Sequence, residues 1–292
     1  MLTSLMIAAA AAATAPTIVS TEAYEWRGDT IVQGEYRAWA VSPEEIKSTY
    51  HARPGYFMPI EQSWRRKNDL SAYPRLEASN RLLQAVFNMG LDEMVNAVEP
   101  DTTLRTGKEW AGVWTRDVSY SIILSMAALQ PEASRISLMR KVNEQGQIIQ
   151  DTGSGGAWPV SSDRLVWVLA AWEVYKVTGD RAWLETAYPI ACRSLAKDSE
   201  TVARSGLMTG ETSFIDWREQ SYPKWMQTAD IAKSEAMGTN MLYAASVRVV
   251  SQMAAMLGKK SEAREYAERA DDIAARVNAR FWDDSMGDYF MY

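Results

Sequence analysis

The sequence predicts a mainly α fold: an incomplete (α/α)6 toroid of antiparallel helical hairpins behind a short β-rich N-terminal segment. Three observations predict it. Six stretches between Ser79 and Trp282 repeat apolar residues near the helical period of 3.6. Tight glycine links, Thr178-Gly179-Asp180 and Leu257-Gly258-Lys259, alternate with long ones. The long links carry the Gly, Trp, Asp and Arg residues, as expected where one rim of a toroid turns tightly and the other bears functional loops.

Met1 to about Ala15 is apolar and alanine-rich, and Ala13-Thr14-Ala15 has the small-x-small form of a cleavage site. Residues 1–15 therefore read as a secretory signal peptide, which places the protein as secreted or periplasmic. No Lys or Arg precedes the run and Pro16 comes directly after it, so a plain Ala-rich terminus is the alternative. Residues 16–78 form the β-rich segment. Asp29-Thr30-Ile31-Val32-Gln33 and Tyr36-Arg37-Ala38-Trp39-Ala40 are β-prone, and Pro54, Gly55, Pro59 and Pro74 punctuate the remainder of the segment.

Residues 79–292 form the partial barrel. Ser79 caps a first helix running to about Val98, stopped by Pro100-Asp101. Thr115 opens a second through Ile122, Ile123, Met126 and Leu129, ended before Pro131, with a short continuation from Ser134 to Val142. Asp151 to Gly156 is a Gly-rich loop. Ser162 caps a third helix, closed by Gly179, and Asp180 caps a fourth running to about Val202. Gly206 to Ile215 reads as loop and short strand. Glu235 or Thr239 starts a fifth helix that stops at Gly258, and Ser261 starts a sixth that reaches Trp282. Beyond it the chain turns into a strand and stops inside it at Tyr292, as a piece of a longer protein would. No sequence-identical repeat is visible, so the expected repeat is architectural.

Composition narrows the function. A net charge of -6 without blocks of like charge excludes the basic stripe that nucleic acid requires. Hydrophobic residues make up 47% and charged residues 23%, which argues for a packed core rather than disorder. Beyond the first residues no run is apolar enough to span a membrane. Cys192 is the single cysteine and His51 the single histidine. An internal disulfide and a Cys/His metal cluster are thereby excluded, and so is Ser-His-Asp or Cys-His chemistry unless His51 serves. No metal site or cofactor is implied; calcium at exposed carbonyls stays open. Chemistry falls to carboxylates. The 12 Trp and 13 Tyr outweigh 5 Phe. A flat face with a polar handle suits a sugar ring, although Trp also fills helical cores.

Three segments combine these residue types. Glu109-Trp110-Ala111-Gly112-Val113-Trp114-Thr115-Arg116-Asp117 puts an aromatic, a guanidinium and a carboxylate at a helix mouth. Two readings fit: Trp114 stacks on a sugar while Arg116 and Asp117 bind its hydroxyls, or Asp117 merely favours the helix dipole. Gly155-Gly156-Ala157-Trp158-Pro159-Val160-Ser161-Ser162-Asp163 repeats the logic with Trp158 and Asp163. In Gly210 to Gln220, Asp216 follows an apolar pair and precedes Trp217. Desolvation would raise its pKa, as a general acid needs, whereas pairing with Arg218 would lower it.

Here the chain resembles a family. Trp114-Thr115-Arg116-Asp117 looks like the W-x-R-D element at the barrel mouth of six-hairpin glycosidases, and Gly210 to Trp217 is similar to the G-x-x-S-x-x-D-W/F element of their trehalase and processing α-glucosidase branch. Ala170 to Asp180 and Asn278-Ala279-Arg280-Phe281-Trp282 look like hairpin signatures of these barrels. The resemblance covers roughly Ser79 to Tyr292. It implies that Arg116 and Asp117 grip the sugar and that Asp216 is the general acid. A complete barrel of this kind carries twice the roughly six helices read here. The base that such enzymes carry in their later half is therefore expected to be missing. Glu211, Glu219 and Glu235 are available, but none sits in a recognised base motif.

The leading reading is a glycoside hydrolase for an α-linked oligo- or polysaccharide, inverting, acting through paired carboxylates and present as an N-terminal part. Asp216 is its catalytic candidate. Trp114, Arg116, Asp117, Trp158, Asp163, Trp217, Arg218 and Glu235 are its sugar-binding candidates. Trp114, Arg116, Asp117, Trp158, Asp163 and Asp216 all sit in long links or at adjoining helix starts, so they are expected on one concave face. The alternative is a secreted, non-catalytic glycan-binding helical protein. A lyase or epimerase on the same toroid ranks below both, because sugar epimerases use histidine and this chain has His51 alone.

Overall fold

A computed structural model describes residues 16–50, 62–108, 110–149, 151, 162–203, 205–210 and 222–291. The chain divides into two compact units, Met1–Ala97 and Val98–Tyr292.

In the first unit, six strands form an antiparallel meander in sequence order: β1 (Thr17–Ser20), β2 (Glu25–Arg27), β3 (Thr30–Gln33), β4 (Tyr36–Ser42), β5 (Glu45–Ser48) and β6 (Ser63–Arg65). Gly28 and Gly34 turn the chain at φ +50° and +59°, values that L side chains resist. Trp26, Ile31, Ile46 and Trp64 pack against buried Ala40, Leu82 and Ala85, which joins the sheet to helix α1 (Arg81–Asn96). The cap of α1 is Asn80 rather than Ser79. Asn80 accepts from Leu83 N at 2.9 Å and its Nδ2 donates to Gly28 O at 2.7 Å, so a tertiary bond selects the capping residue.

The exit of β6 is pinned to α1 by one carboxylate. Asp92 is 1% exposed and accepts from Trp64 Nε1 (3.1 Å), Lys67 N (3.2 Å), Asn68 N (2.9 Å) and Asn68 Nδ2 (2.8 Å). Desolvation opposes its charge, but the donors from Asn68, Trp64 and Lys67 outweigh it and hold the carboxyl below its usual range.

The second unit is helical. Helix α2 (Thr115–Ser121) runs on through a π-helical turn (Ile122–Met126) into α3 (Ala127–Leu129). Next come α4 (Pro131–Arg140), α5 (Ser162–Thr178), α6 (Arg181–Thr201), α7 (Thr228–Lys233), α8 (Met237–Met256) and α9 (Lys260–Phe281), then the antiparallel hairpin of β7 (Trp282–Asp283) and β8 (Asp288–Tyr289). Pro131 opens α4 at its first turn, where its missing N–H costs nothing, so Ser134 is interior rather than a start. Among the described residues from 79 to 282 no parallel sheet occurs. The mainly α fold with a β-rich N-terminal segment is as the sequence predicts.

The hairpins are antiparallel. Trp183 Nε1 in α6 donates to Ala171 O in α5 at 2.9 Å, and Tyr188 in α6 donates to Glu262 of α9 at 2.7 Å. Gly179 at φ +64° and Gly258 at φ +79° close the tight links, and Asp180 accepts from Ala182 N and Trp183 N. The starts of α2, α5 and α8 and the ends of α4, α6 and α9 consequently share one rim, together with the long links.

That rim carries a short repeat, Val-x-x-x-Thr/Gly-x-Leu/Ile/Met, at Val98–Leu104, Val142–Ile148 and Val202–Met208. Each copy turns on a positive-φ residue: Thr102 (+65°), Gly146 (+68°) and Gly206 (+90°). In each, the N–H of the last residue is held by a polar side chain from a neighbouring helix. Leu104 donates to Ser137 Oγ at 2.7 Å, Ile148 to Ser194 Oγ at 3.0 Å and Met208 to Asn240 Oδ1 at 2.6 Å. The repeat escapes a sequence-identity search because its constants are one backbone conformation and one buried apolar residue.

Thr102 is the exception among the three, a β-branched residue in left-handed backbone. Thr102→Gly is expected to raise the unfolding free energy by up to about 1 kcal/mol, strain relief exceeding the added entropy of the unfolded chain. Urea unfolding followed by circular dichroism measures it, and a loss of stability would show that Thr102 has a compensating role.

Candidate functional site at the long-loop rim

The site is built around the entrance to α2. Trp114 occupies the N-cap position in extended backbone (φ -104°, ψ 126°) and offers no side-chain cap. Ser, Thr, Asp or Asn would ordinarily stand there to accept from the first free N–H groups. A different free group of that first turn, Thr115 N, finds a distant partner: Asp151 Oδ2 accepts from it at 2.5 Å, across 36 residues. Thr115 Oγ1 adds a bond to Ile149 O at 3.1 Å.

Asp151 is a hub. Its Oδ1 pairs with Lys141 Nζ at 2.5 Å, and its backbone N donates to Asp163 Oδ2 at 2.7 Å. Asp163, in the first turn of α5, is fully buried, and its Oδ1 pairs with Arg116 Nη1 at 3.0 Å. Burial pushes the Asp163 carboxyl up to about 6; Arg116 opposes the rise, and the nearby Asp151 charge adds to it. The adjacent residue repeats the device: Arg164 of α5 pairs with Asp198, which is fully buried in the last turn of α6. Burial raises Asp198 to about 6 as well, against the pull of Arg164. Two buried carboxylate–guanidinium pairs thus lace α2, α5 and α6 together at the rim.

Of the residues expected to share a concave face, Arg116 and Asp163 come together, buried against each other. Asp117 is exposed in the first turn of α2, next to the buried Arg116. Trp114 is 38% exposed. Glu235, before α8, pairs with Arg280 Nε at 2.9 Å and accepts from Ser205 Oγ at 3.3 Å, which ties the start of α8 to the end of α9. Trp158, Asp216, Trp217 and Arg218 lie outside the described residues, as do Glu211 and Glu219.

Sequence reasoning passed over Asp151, and treated Trp110 only as part of its segment. Trp110 is 49% exposed on a tight turn in which Gly107 and Trp110 exchange backbone hydrogen bonds of 3.1 and 3.2 Å. No local pattern marks Asp151, whose partners lie 10 to 36 residues away. Among the described residues no group of three or more His, Cys, Asp or Glu side chains could hold a metal ion, and no helix is long and apolar enough to cross a membrane. The partly buried Cys192 has its thiol pushed up by burial, away from the reactive thiolate. A recess of about 660 Å³ between α4 and α6 is lined by Arg135, Arg140 and Trp183; Arg135 pairs there with Asp180, and it is separate from this cluster.

Helical hairpins with their long links on one rim carry this cluster, and residues 147–291 match a family model of a six-hairpin glycosidase domain. The matching model is the bacterial α-L-rhamnosidase six-hairpin glycosidase domain, over a stretch that begins within the second copy of the rim repeat and ends past β8. Two solved structures are similar. A GH78 family rhamnosidase of Bacillus sp. GL1 aligns at 19% identity and a TM-score of 0.48, covering 65% of this chain and 20% of that one. An α-L-rhamnosidase from Dictyoglumus thermophilum aligns at 16% identity and a TM-score of 0.40, covering 63% of this chain and 21% of that one. The chain therefore spans about a fifth of the length of these proteins. No curated protein matches it in sequence.

Proposed function

We propose that the protein is a glycoside hydrolase, or the N-terminal part of one, acting on an α-linked sugar, with α-L-rhamnosides as the first substrates to test. The observation that carries this reading is the family match over 147–291. Its support from the residues is a rim that collects exposed Trp110, Trp114 and Asp117 beside the buried pairs. In this reading Asp216 protonates the leaving glycosidic oxygen. A second carboxylate activates water on the opposite face of the sugar, at the separation of about 6.5–9.5 Å that inversion requires. The substrate is an oligo- or polysaccharide, and no cofactor takes part. Residues 1–15 direct export.

Hydrolysis of p-nitrophenyl α-L-rhamnopyranoside and α-glucopyranoside by a version of the protein extended past Tyr292 tests the reading, because the chain alone is expected to lack the base. Asp216→Asn is expected to lower turnover by about 10²–10⁴-fold, the contribution of a general acid, and to leave sugar affinity nearly unchanged. Turnover that survives the substitution would take the acid role from Asp216. Sugar binding without hydrolysis by the unsubstituted extended protein would favour non-catalytic glycan recognition.

A further inference from the structure

The hairpin of β7 and β8 is a fourth copy of the rim repeat. Gly287 turns it at φ +65°, two residues before Tyr289, as Thr102, Gly146 and Gly206 stand two before Leu104, Ile148 and Met208. Trp282 pairs with Tyr289 as Val98 pairs with Leu104 and Val142 with Ile148. The next residue also behaves alike: Phe290 N donates back to Phe281 O at 2.8 Å, as Ile149 N does to Lys141 O at 2.9 Å. The fourth copy is one residue longer, Trp282–Tyr289 against Val142–Ile148, which hides it from the sequence pattern. What differs is the cover. Leu104, Ile148 and Met208 are buried, and each N–H is held by a side chain from a helix 32 to 46 residues further along the chain. Each of those side chains also donates to the carbonyl four residues before it: Ser137 to Ala133 at 2.6 Å, Ser194 to Ile190 at 2.9 Å and Asn240 Nδ2 to Ala236 at 3.0 Å. That second bond orients the hydroxyl or amide and leaves its oxygen lone pairs to the hairpin. In the fourth copy Tyr289 is half-buried and its cross-strand partner Trp282 is 43% exposed. Tyr289 N is bonded at 2.7 Å to the carboxylate of its own neighbour, Asp288.

We propose that the Trp282–Tyr289 face is a docking surface for one further helix. Its occupant lies 32 to 46 residues past Tyr289 in a longer protein, the spacing of the three precedents. That helix carries a Ser, Thr or Asn whose side chain donates to the carbonyl four residues before it and accepts from Tyr289 N. Asp288 holds the N–H in its place. All three precedents are later helices of the same chain, which selects this occupant over a second copy. Trp282 and Tyr289 meet edge to face with ring centroids 5.0 Å apart. They present more apolar surface than the Val and Leu, Ile or Met of the other copies, and its burial is what the docked helix gains. The role is structural and stands whether or not the protein acts on a glycan.

The test compares the 292-residue chain with a version extended past Tyr292 by roughly 60 residues, the longest of the three offsets plus one helix of ordinary length. Amide exchange at Tyr289 is read by NMR, with Ile148 as the internal reference for an intact rim. Ile148 N–H should exchange slowly in both versions. Tyr289 N–H should exchange fast in the 292-residue chain and about 100-fold more slowly in the extended protein. Replacing by Ala the Ser, Thr or Asn found at the stated spacing should return Tyr289 to fast exchange while Ile148 stays slow. Trp282→Ser, followed by circular dichroism, should lower the Tm of the extended protein by several degrees and that of the 292-residue chain by less than half as much. The proposal is overturned if Tyr289 N–H exchanges equally fast in both versions with Ile148 protected, or if Trp282→Ser lowers both Tm values equally. It is also overturned if the 292-residue chain sediments as a dimer that Trp282→Ser dissociates, because the face then belongs to a second copy.

Discussion

Replacing Arg116 by methionine is expected to cost about 3–5 kcal/mol of unfolding free energy at pH 7, because it leaves a buried charge without its partner. Asp163 is fully buried, and the guanidinium 3.0 Å away is what offsets its desolvation. Methionine fills much of the arginine stem's volume, so the loss reports the charge and not a cavity. The pH dependence carries a distinctive sign. Burial raises the folded-state carboxyl of Asp163 to about 6, from an ordinary value of 3.8, and Asp198 behaves alike. Between those values each of these two carboxyls binds more protons in the folded protein than in the unfolded chain, so their contribution to stability rises as pH falls through about 6. Removing Arg116 deletes a contribution that holds Asp163 down, so its carboxyl moves further up. The deficit of Arg116→Met should accordingly be greatest at neutral pH and shrink as Asp163 becomes protonated. Urea titrations at pH 7, 6 and 5 measure both effects. A deficit that stays constant across that range would show that Asp163 is not the group left unpaired. Arg116→Met with Asp163→Leu should recover part of the loss, since an apolar pair replaces a buried ion pair at little net cost while Asp151 N loses its acceptor.

Asp92→Ala is the second large effect, expected at about 3 kcal/mol or more. One substitution leaves Trp64 Nε1, Lys67 N, Asn68 N and Asn68 Nδ2 without their common acceptor. Trp64 also packs on the Ala40, Leu82 and Ala85 cluster, so its release loosens the contact between sheet and helix in the first unit. Asp92→Asn should cost nearly as much, because its amide brings donors to a site already full of donors. The wild-type bond set holds the carboxyl below its ordinary value, so its contribution is present above about pH 4 and is lost as pH falls through the lowered pKa. This sign is opposite to that of Asp163 and Asp198. Limited proteolysis across residues 62–80, alongside urea unfolding, locates the damage; unchanged protection of that segment in Asp92→Ala would refute the clamp.

The order of helices and most of their ends were legible in the sequence because their signals are local. Asp180 caps α6 through N–H groups two and three residues on, and Gly179 and Gly258 reverse the chain by their own positive φ. A hydrophobic period of 3.6 needs nothing beyond the helix that carries it. At Asn80 the exception has a tertiary cause, its bond to Gly28 O; at Pro131 the cause is local. Pro131 could stop one helix or start the next, and the chain does both within two residues, since α3 ends at Leu129 and α4 begins at Pro131.

The rim chemistry was legible by residue type and not by role. Trp, Arg and Asp at the start of α2 marked the right region, yet their spacing does not say that Arg116 turns inward to Asp163 while Asp117 faces solvent. Only the tertiary structure decided that, because burial and partner choice are set by residues 47 positions away for Arg116 with Asp163, 36 for Thr115 with Asp151 and 34 for Arg164 with Asp198. A carboxylate's charge, its pKa and its use as a cap depend on which donors converge on it and how much water they exclude. The sequence by itself determined a helical protein with its Trp, Asp and Arg gathered in the long links. Folding determined which of those side chains became its internal struts and which were left facing the solvent.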